Sequence, residues 1–218
     1  MSKLSLNALV SRPSDDDADN KDNSRNSQDS LNGRTHWLDI IQSPLRSAPF
    51  GSSYYSRLPL SPPPVVRLVV KNGEGIPMDI HDELPFYVCH ASLLTEDGDS
   101  HVDFAHTPNE PNSAPVRMLY GALVTTPYQV HGEVVFPFTD LGVRYSGLYR
   151  LKISLFRLAR PGSQISSSTA SETLSTAITD TFEVVDLEHY EAPAMTNLSY
   201  ELHAAGVPIQ VPNNQQTI

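Results

Sequence analysis

Residues 134–159 read VVFPFTDLGVRYSGLYRLKISLFRLA, and the reading of this stretch decides the fold class. Phe136 and Phe138 close one apolar run, a polar turn follows over residues 140–147, and a second apolar run carries Leu148, Leu151, Ile153, Leu155 and Leu158. Arg150, Lys152 and Arg157 interrupt that second run. From Leu151 onward apolar and polar residues alternate, the two-residue period of a strand with one buried and one wet face.

Within the stretch, Gly147 is followed two residues later by Tyr149 and two later again by Leu151. In immunoglobulin-like sandwiches a tyrosine at the start of strand F folds back onto the preceding corner, with a cysteine two residues on. Here Leu151 takes the cysteine's place. Tyr149 is therefore either such a corner or an ordinary half-buried strand tyrosine.

Further strands are expected at residues 65–71, 84–95, 117–125, 128–138 (interrupted at His131-Gly132), 148–159 and 176–185, with turns at 72–75 and 96–99. The Pro-rich stretch 43–64 ends in Ser61-Pro62-Pro63-Pro64 and is an extended lead-in to the first of these strands. Thr196 as N-cap, Leu198, Leu202 and Ala205 at helical spacing, and Gly206 after them predict one late helix. Val207, Ile209 and Val211 then alternate as a short terminal strand. About seven strands, many turns and one C-terminal helix make an all-β chain, an antiparallel β-sandwich.

The 218 residues fit one sandwich with tails. Residues 1–45 are expected to be a disordered acidic tail, 46–211 the domain, 161–175 a mobile Ser/Thr-rich linker within it, and 212–218 a short C-terminal tail. Inside the first segment, His36-Trp37-Leu38-Asp39-Ile40-Ile41 is an apolar cluster that docks on the domain or serves as a linear interaction motif. Cys89 is the single cysteine, so no intrachain disulfide forms, and a reducing compartment is expected. In an apolar strand with no cation beside it and His90 as its polar neighbour, its thiol reads as a small buried hydrophobe. No run of ~18 apolar residues exists, and the N-terminus lacks the apolar core of a secretory signal. The expectation is a soluble intracellular protein without a membrane partner.

Net charge is −10 and unevenly placed. Residues 1–45 hold 7 acidic and 5 basic residues, 46–160 hold 11 and 10, and 161–218 hold 7 and none. The middle is close to neutral, and no cluster of basic residues marks a nucleic-acid footprint or a nuclear-import signal. There is no Gly-x-Ser-x-Gly elbow and no Gly-rich phosphate loop, so no cofactor is implied and the chain does not read as an enzyme. His101, Asp103 and His106 are the densest group of potential ligands, but a polar loop without cysteine or helical spacing makes solvated side chains the default.

Four runs, in order, carry a family resemblance: Pro62-Pro63-Pro64-Val65-Val66-Arg67-Leu68, Phe86-Tyr87-Val88-Cys89-His90-Ala91-Ser92-Leu93, Leu119-Tyr120-Gly121-Ala122-Leu123-Val124, and the run from Phe138 to Lys152. With Thr179-Asp180-Thr181-Phe182-Glu183-Val184 and Gly206-Val207-Pro208-Ile209, they resemble the velvet domain of fungal regulators over residues 46–211. That resemblance implies a sandwich related to the Rel homology domain. It implies a nuclear and cytoplasmic regulator of development, sporulation and secondary metabolism, acting as a homodimer or heterodimer with other velvet proteins. DNA and a methyltransferase-like regulator are the further partners it implies.

Family members that bind DNA are basic ahead of the Pro-Pro-Pro strand. Here Arg46 and Arg57 alone keep that charge, and Tyr54-Tyr55 stand where lysine and aspartate belong. The candidate DNA-contacting residues are Arg46, Arg57, Arg67 and Lys71. Losing several cations from a site of ~6 to 10 phosphate contacts removes most of its non-specific attraction. DNA contact is therefore expected to be weak or partner-assisted; the alternative is a velvet-like adaptor that binds other regulators and not DNA.

Overall fold

The computed structural model describes the backbone at residues 25–26 and 28–29, and residues 33–53, 57–107, 112–158 and 173–210. Its main strands are β1 (Arg34–Gln42), β2 (Val65–Lys71), β3 (Tyr87–Thr95), β4 (Tyr128–Val130), β5 (Glu133–Pro137), β6 (Gly147–Arg157), β7 (Ser175–Ile178) and β8 (Phe182–Val184), followed by helix α1 (Asn197–Ala204). The first sheet runs β4-β5-β2-β1, antiparallel throughout. In the second, β6 lies between β3 on one edge and β7 and β8, end to end, on the other. Short pieces extend it: Val124–Thr125 on β3, Arg25–Asn26 on β7, and Arg46–Ser47 parallel to β8.

The two sheets face each other across one core. Alternation places Val66, Leu68 and Val70 of β2 on its inner side and Leu151, Ile153 and Leu155 of β6 opposite, all buried with Leu38, Tyr87, Phe136 and Phe182. Burying an aliphatic or phenyl side chain of this kind contributes about 1.5–3 kcal/mol, so the inner faces hold the sandwich together without a disulfide. Cys89 lies in this core, where burial pushes its thiol well above the ordinary range and leaves it unreactive.

Tyr149 is a corner. Its hydroxyl donates to the carbonyls of Tyr145 and Ser146, both at 3.3 Å, and burial raises its ionisation above the usual phenol range. Gly147 explains why no side chain precedes it: a Cβ there would stand 2.9 Å from the Tyr149 hydroxyl. Leu151, in the cysteine's place, is fully buried.

Several boundaries differ from the sequence reading. The segment Arg34–Gln42 is a full strand, so the fold begins ahead of the boundary placed at 46. His36 and Leu38 point into the core while Trp37, 39 % exposed, faces out. The cluster docks as a strand, and the two-residue alternation leaves its largest side chain outside. Residues 128–138 form a hairpin, because His131 (φ 50°) and Gly132 (φ 83°) supply the two left-handed positions of a two-residue turn.

Residues 117–125 break into two-residue pieces around Gly121, where φ is 111° and a Cβ would meet the Asp140 carbonyl at 1.5 Å. A 3-10 turn, His81–Phe86, precedes β3. Val207 and Ile209 are buried but belong to no strand. The expectations for residues 1–24, 161–172 and 211–218 lie outside the described residues.

Helix α1 starts where Thr196 predicts: its hydroxyl accepts the Ser199 N–H at 3.1 Å. Leu202, Val207 and Ile209 bury Val65, Val130 and Val135 on the outer face of the first sheet. Gln42 ties strand to helix, donating to the Pro63 carbonyl at 2.7 Å and the Ser199 hydroxyl at 3.1 Å while accepting from Thr196.

Candidate functional site

The four cations singled out in the sequence fall in two places. Arg67 and Lys71 share β2 and its outer face, four residues apart. Arg46 and Arg57 lie at the other region, on segments that run side by side: Arg46 bridges to Ser61, and the Ser47 hydroxyl donates to the Leu58 carbonyl at 3.0 Å. The structure puts the segments of Arg46 and Arg57 side by side and Arg67 and Lys71 on one strand face, and the four do not share one strand.

Carboxylates meet most of this charge. Arg67 sits between Asp39 at 2.6 Å and Glu133 at 2.8 Å, one from each neighbouring strand, and hydrogen bonds to Glu133 and then Asp39 raise its already high pKa. Arg46 pairs with Glu183 at 3.0 Å across the parallel bridge to β8. Arg57 pairs with Asp140 at 2.5 Å. Four carboxylates thus stand against three of the four cations, and Lys71 alone has no carboxylate partner among the described residues. Such half-exposed pairs add about 0–1 kcal/mol each to stability, but they cancel the field that draws a phosphate backbone.

Sequence reasoning missed Arg144. It is 5 % exposed and lies between two rings, its guanidinium carbon 4.9 Å from the Phe50 centroid and 5.1 Å from that of Tyr120. Its Nε donates to the Arg117 carbonyl at 2.8 Å, and a terminal nitrogen donates to the Gly51 carbonyl. The Phe50 and Gly51 N–H groups bond the carbonyls of Val143 and Arg144. Arg144 therefore pins the segment that follows Arg46. The available signal was an arginine between Val143 and Tyr145 in a run that is otherwise buried; Tyr54 and Tyr55 lie outside the described residues.

Two further cations, Arg150 and Lys152, stand on the outer face of β6. Two grooves are lined by described residues, one of about 180 Å³ beside Arg67, Glu133, Met78 and Ile80, and one of about 140 Å³ between Leu58, Pro63, Tyr190 and Ile209. His101 Nδ1 lies 3.4 Å from Asp103 on the exposed loop, and His106 bonds the Ser113 carbonyl instead of joining them.

A family model described as Velvet factor matches residues 36–115 and 103–216. Among curated proteins, the sexual development regulator umv3 of Mycosarcoma maydis is 28% identical over 197 residues, covering 85% of this chain and 47% of that protein. The spore development regulator vosA of Beauveria bassiana is 28% identical over 186 residues, 81% of this chain and 66% of its own length. The velvet complex subunit RYP3 of Ajellomyces capsulatus is 34% identical over 83 residues, 37% and 22% of the two chains. The chain spans less than half of the first of these relatives and under a quarter of the last.

Proposed function

This chain belongs to the velvet factor family, and from that premise we propose that it is a nuclear and cytoplasmic regulator of development, sporulation and secondary metabolism, not an enzyme, whose contact with DNA depends on a second velvet-domain chain. The names of its relatives, regulators of sexual and spore development and a subunit of a velvet complex, support the developmental role and the pairing. A methyltransferase-like regulator is the further partner this reading admits.

One observation carries the dependence on a partner. Arg46, Arg57 and Arg67 each hold a carboxylate of their own sandwich, so a phosphate must displace Glu183, Asp140, or Asp39 and Glu133 before it is bound. Each phosphate contact contributes mainly by releasing counterions, with a slope of about −0.9 in log affinity against log salt. A chain whose cations are already paired releases few. A more basic partner supplies the missing contacts.

Light scattering of the chain alone and mixed with velvet-domain proteins of the same cell establishes which species forms. Fluorescence anisotropy with a labelled duplex across a salt series then tests DNA contact. The expected result is weak binding with a shallow salt slope for the chain alone and a steeper, tighter curve for the mixed dimer, reduced by Arg46→Ala and Arg57→Ala. No binding by the mixed dimer at low salt assigns the adaptor role instead. Tight, steeply salt-dependent binding by the chain alone overturns the dependence on a partner.

A further inference from the structure

The outer face of the second sheet holds a cationic row that the reading above does not use. Lys152 stands opposite Ser92 of β3 and Ile178 of β7, with Arg150 two residues before it on the same face and His90 opposite the next outward residue, Ser154. Six ion pairs join arginines to carboxylates among the described residues, and none reaches Arg150 or Lys152. Arg150 donates to the Thr181 hydroxyl at 3.0 Å and adds a small Coulombic pull on Asp97 in the adjoining turn. Lys152 has no carboxylate partner among the described residues.

The chain enters the fold at the edge of this same sheet. Arg25 lies opposite Thr176 and Asn26 opposite Ser175, so from Asn26 to Arg25 the antiparallel pair runs in the direction of Ile178, which stands opposite Lys152. Just upstream, residues 15–22 read DDDADNKD, five carboxylates and one lysine. From Asp19 to Arg25 is a tether of ~20 Å at about 3.3 Å per extended residue. Lys152 is two strand spacings from Arg25, about 10 Å. The tether reaches with slack.

We propose that the acidic segment 15–22 docks on the outer face of the second sheet, over Lys152 and Arg150 with His90 as a neighbouring hydrogen-bond partner, so that the chain covers its own cationic row. Charge complementarity selects this occupant, since the face is polar along its middle (His90, Ser92, Lys152, Ser154, Thr176) and offers no continuous apolar strip for a helix or a second sheet. The contact is electrostatic and exchangeable. An external polyanion has to displace it.

Zero-length carbodiimide cross-linking of the full chain, with mass-spectrometric mapping of the links at Lys152, tests this directly. The Debye length is about 30 Å at 0.01 M salt and about 3 Å at 1 M, so links from Lys152 to Asp15, Asp16, Asp17 or Asp19 are expected at low salt and should fall by about fivefold or more at high salt. Lys71, exposed on the other sheet's outer face, is the internal control and should link to the same segment far less. Replacing the four aspartates (D15N, D16N, D17N, D19N) should abolish the links without moving the unfolding midpoint, and should raise the acetylation rate of Lys152. Absence of the link at low salt, equal linking at Lys71, or links found only between isotopically distinct chains overturns the proposal, the last assigning the face to a second copy.

Discussion

The outer faces of the two sheets are finished differently. On the first, Val65, Val130 and Val135 lie beneath Leu202, Val207 and Ile209. On the second, Leu148, Arg150, Lys152, Ser154 and Phe156 follow one another along β6, half-buried or exposed, with no helix over them among the described residues. Both sheets obey the same alternation, yet the outward valines of the first are buried where later chain returns over them, while the middle of the uncovered strand turns Arg150, Lys152 and Ser154 outward. In β2, Val65 and Val66 are both buried on opposite faces, as in strands covered on both sides. The covered face belongs to stability; the bare one has no such buried apolar layer among the described residues.

Leu202→Ala offers the largest test of that division. Truncating a buried leucine costs about 2–5 kcal/mol, and denaturant unfolding should show a loss near ~3 kcal/mol. A loss below about 1 kcal/mol would mean that α1 merely rests on the sheet. Thr196→Ala should cost about 1–2 kcal/mol, because it removes the cap and leaves Gln42 without a donor. Tyr149→Phe, by comparison, should cost about 1 kcal/mol in the same assay, since the second sheet is secured at its corner by that hydroxyl. Lys152→Ala and Ser154→Ala on the bare face should change stability by less than about 0.5 kcal/mol; a larger effect would reveal an integral cover there.

The smallest effect concerns pH. The Thr95 hydroxyl, and then the Asp99 N–H, hold the exposed Asp97 carboxyl below the usual carboxylate range. Because its folded pKa is depressed, its contribution is present above the unfolded pKa, about 3.9, and is lost as pH falls through the lowered value. Acid unfolding of Asp97→Asn should therefore begin from a slightly less stable protein at neutral pH and lose less below pH ~4.

Local chemistry was legible wherever one segment determines its own geometry. β2 spans Val65–Lys71 as its alternation requires, Tyr149 needs only its own corner, and Thr196 caps the helix it precedes. The family was legible too, through the order of its runs, and so was the all-β sandwich. What could not be read needs register between distant strands. Asp39 and Glu133 flank Arg67 from 28 and 66 residues away, so the pairing of a candidate DNA contact with two carboxylates follows only once β1, β2 and β5 are aligned. β1 was hidden for the same reason: its edge gains strand pairing only after β2 exists, and Ser-, Asn- and Asp-rich chain precedes it. Arg144 could not be singled out because its rings come from residues 50 and 120.

The Gln42–Thr196–Ser199 knot joins the first long strand to the last helix across more than 150 residues of chain. During synthesis this gives the outer valines of the first sheet a long wait. A nascent chain with every strand emerged, but with residues 196–209 still inside the ribosome, displays Val65, Val130 and Val135 to the cytosol. A polypeptide that stops short of the helix carries the same sticky surface permanently. The quality-control machinery of the cell should therefore meet early-terminated chains as clients, even though all of their sheets are complete.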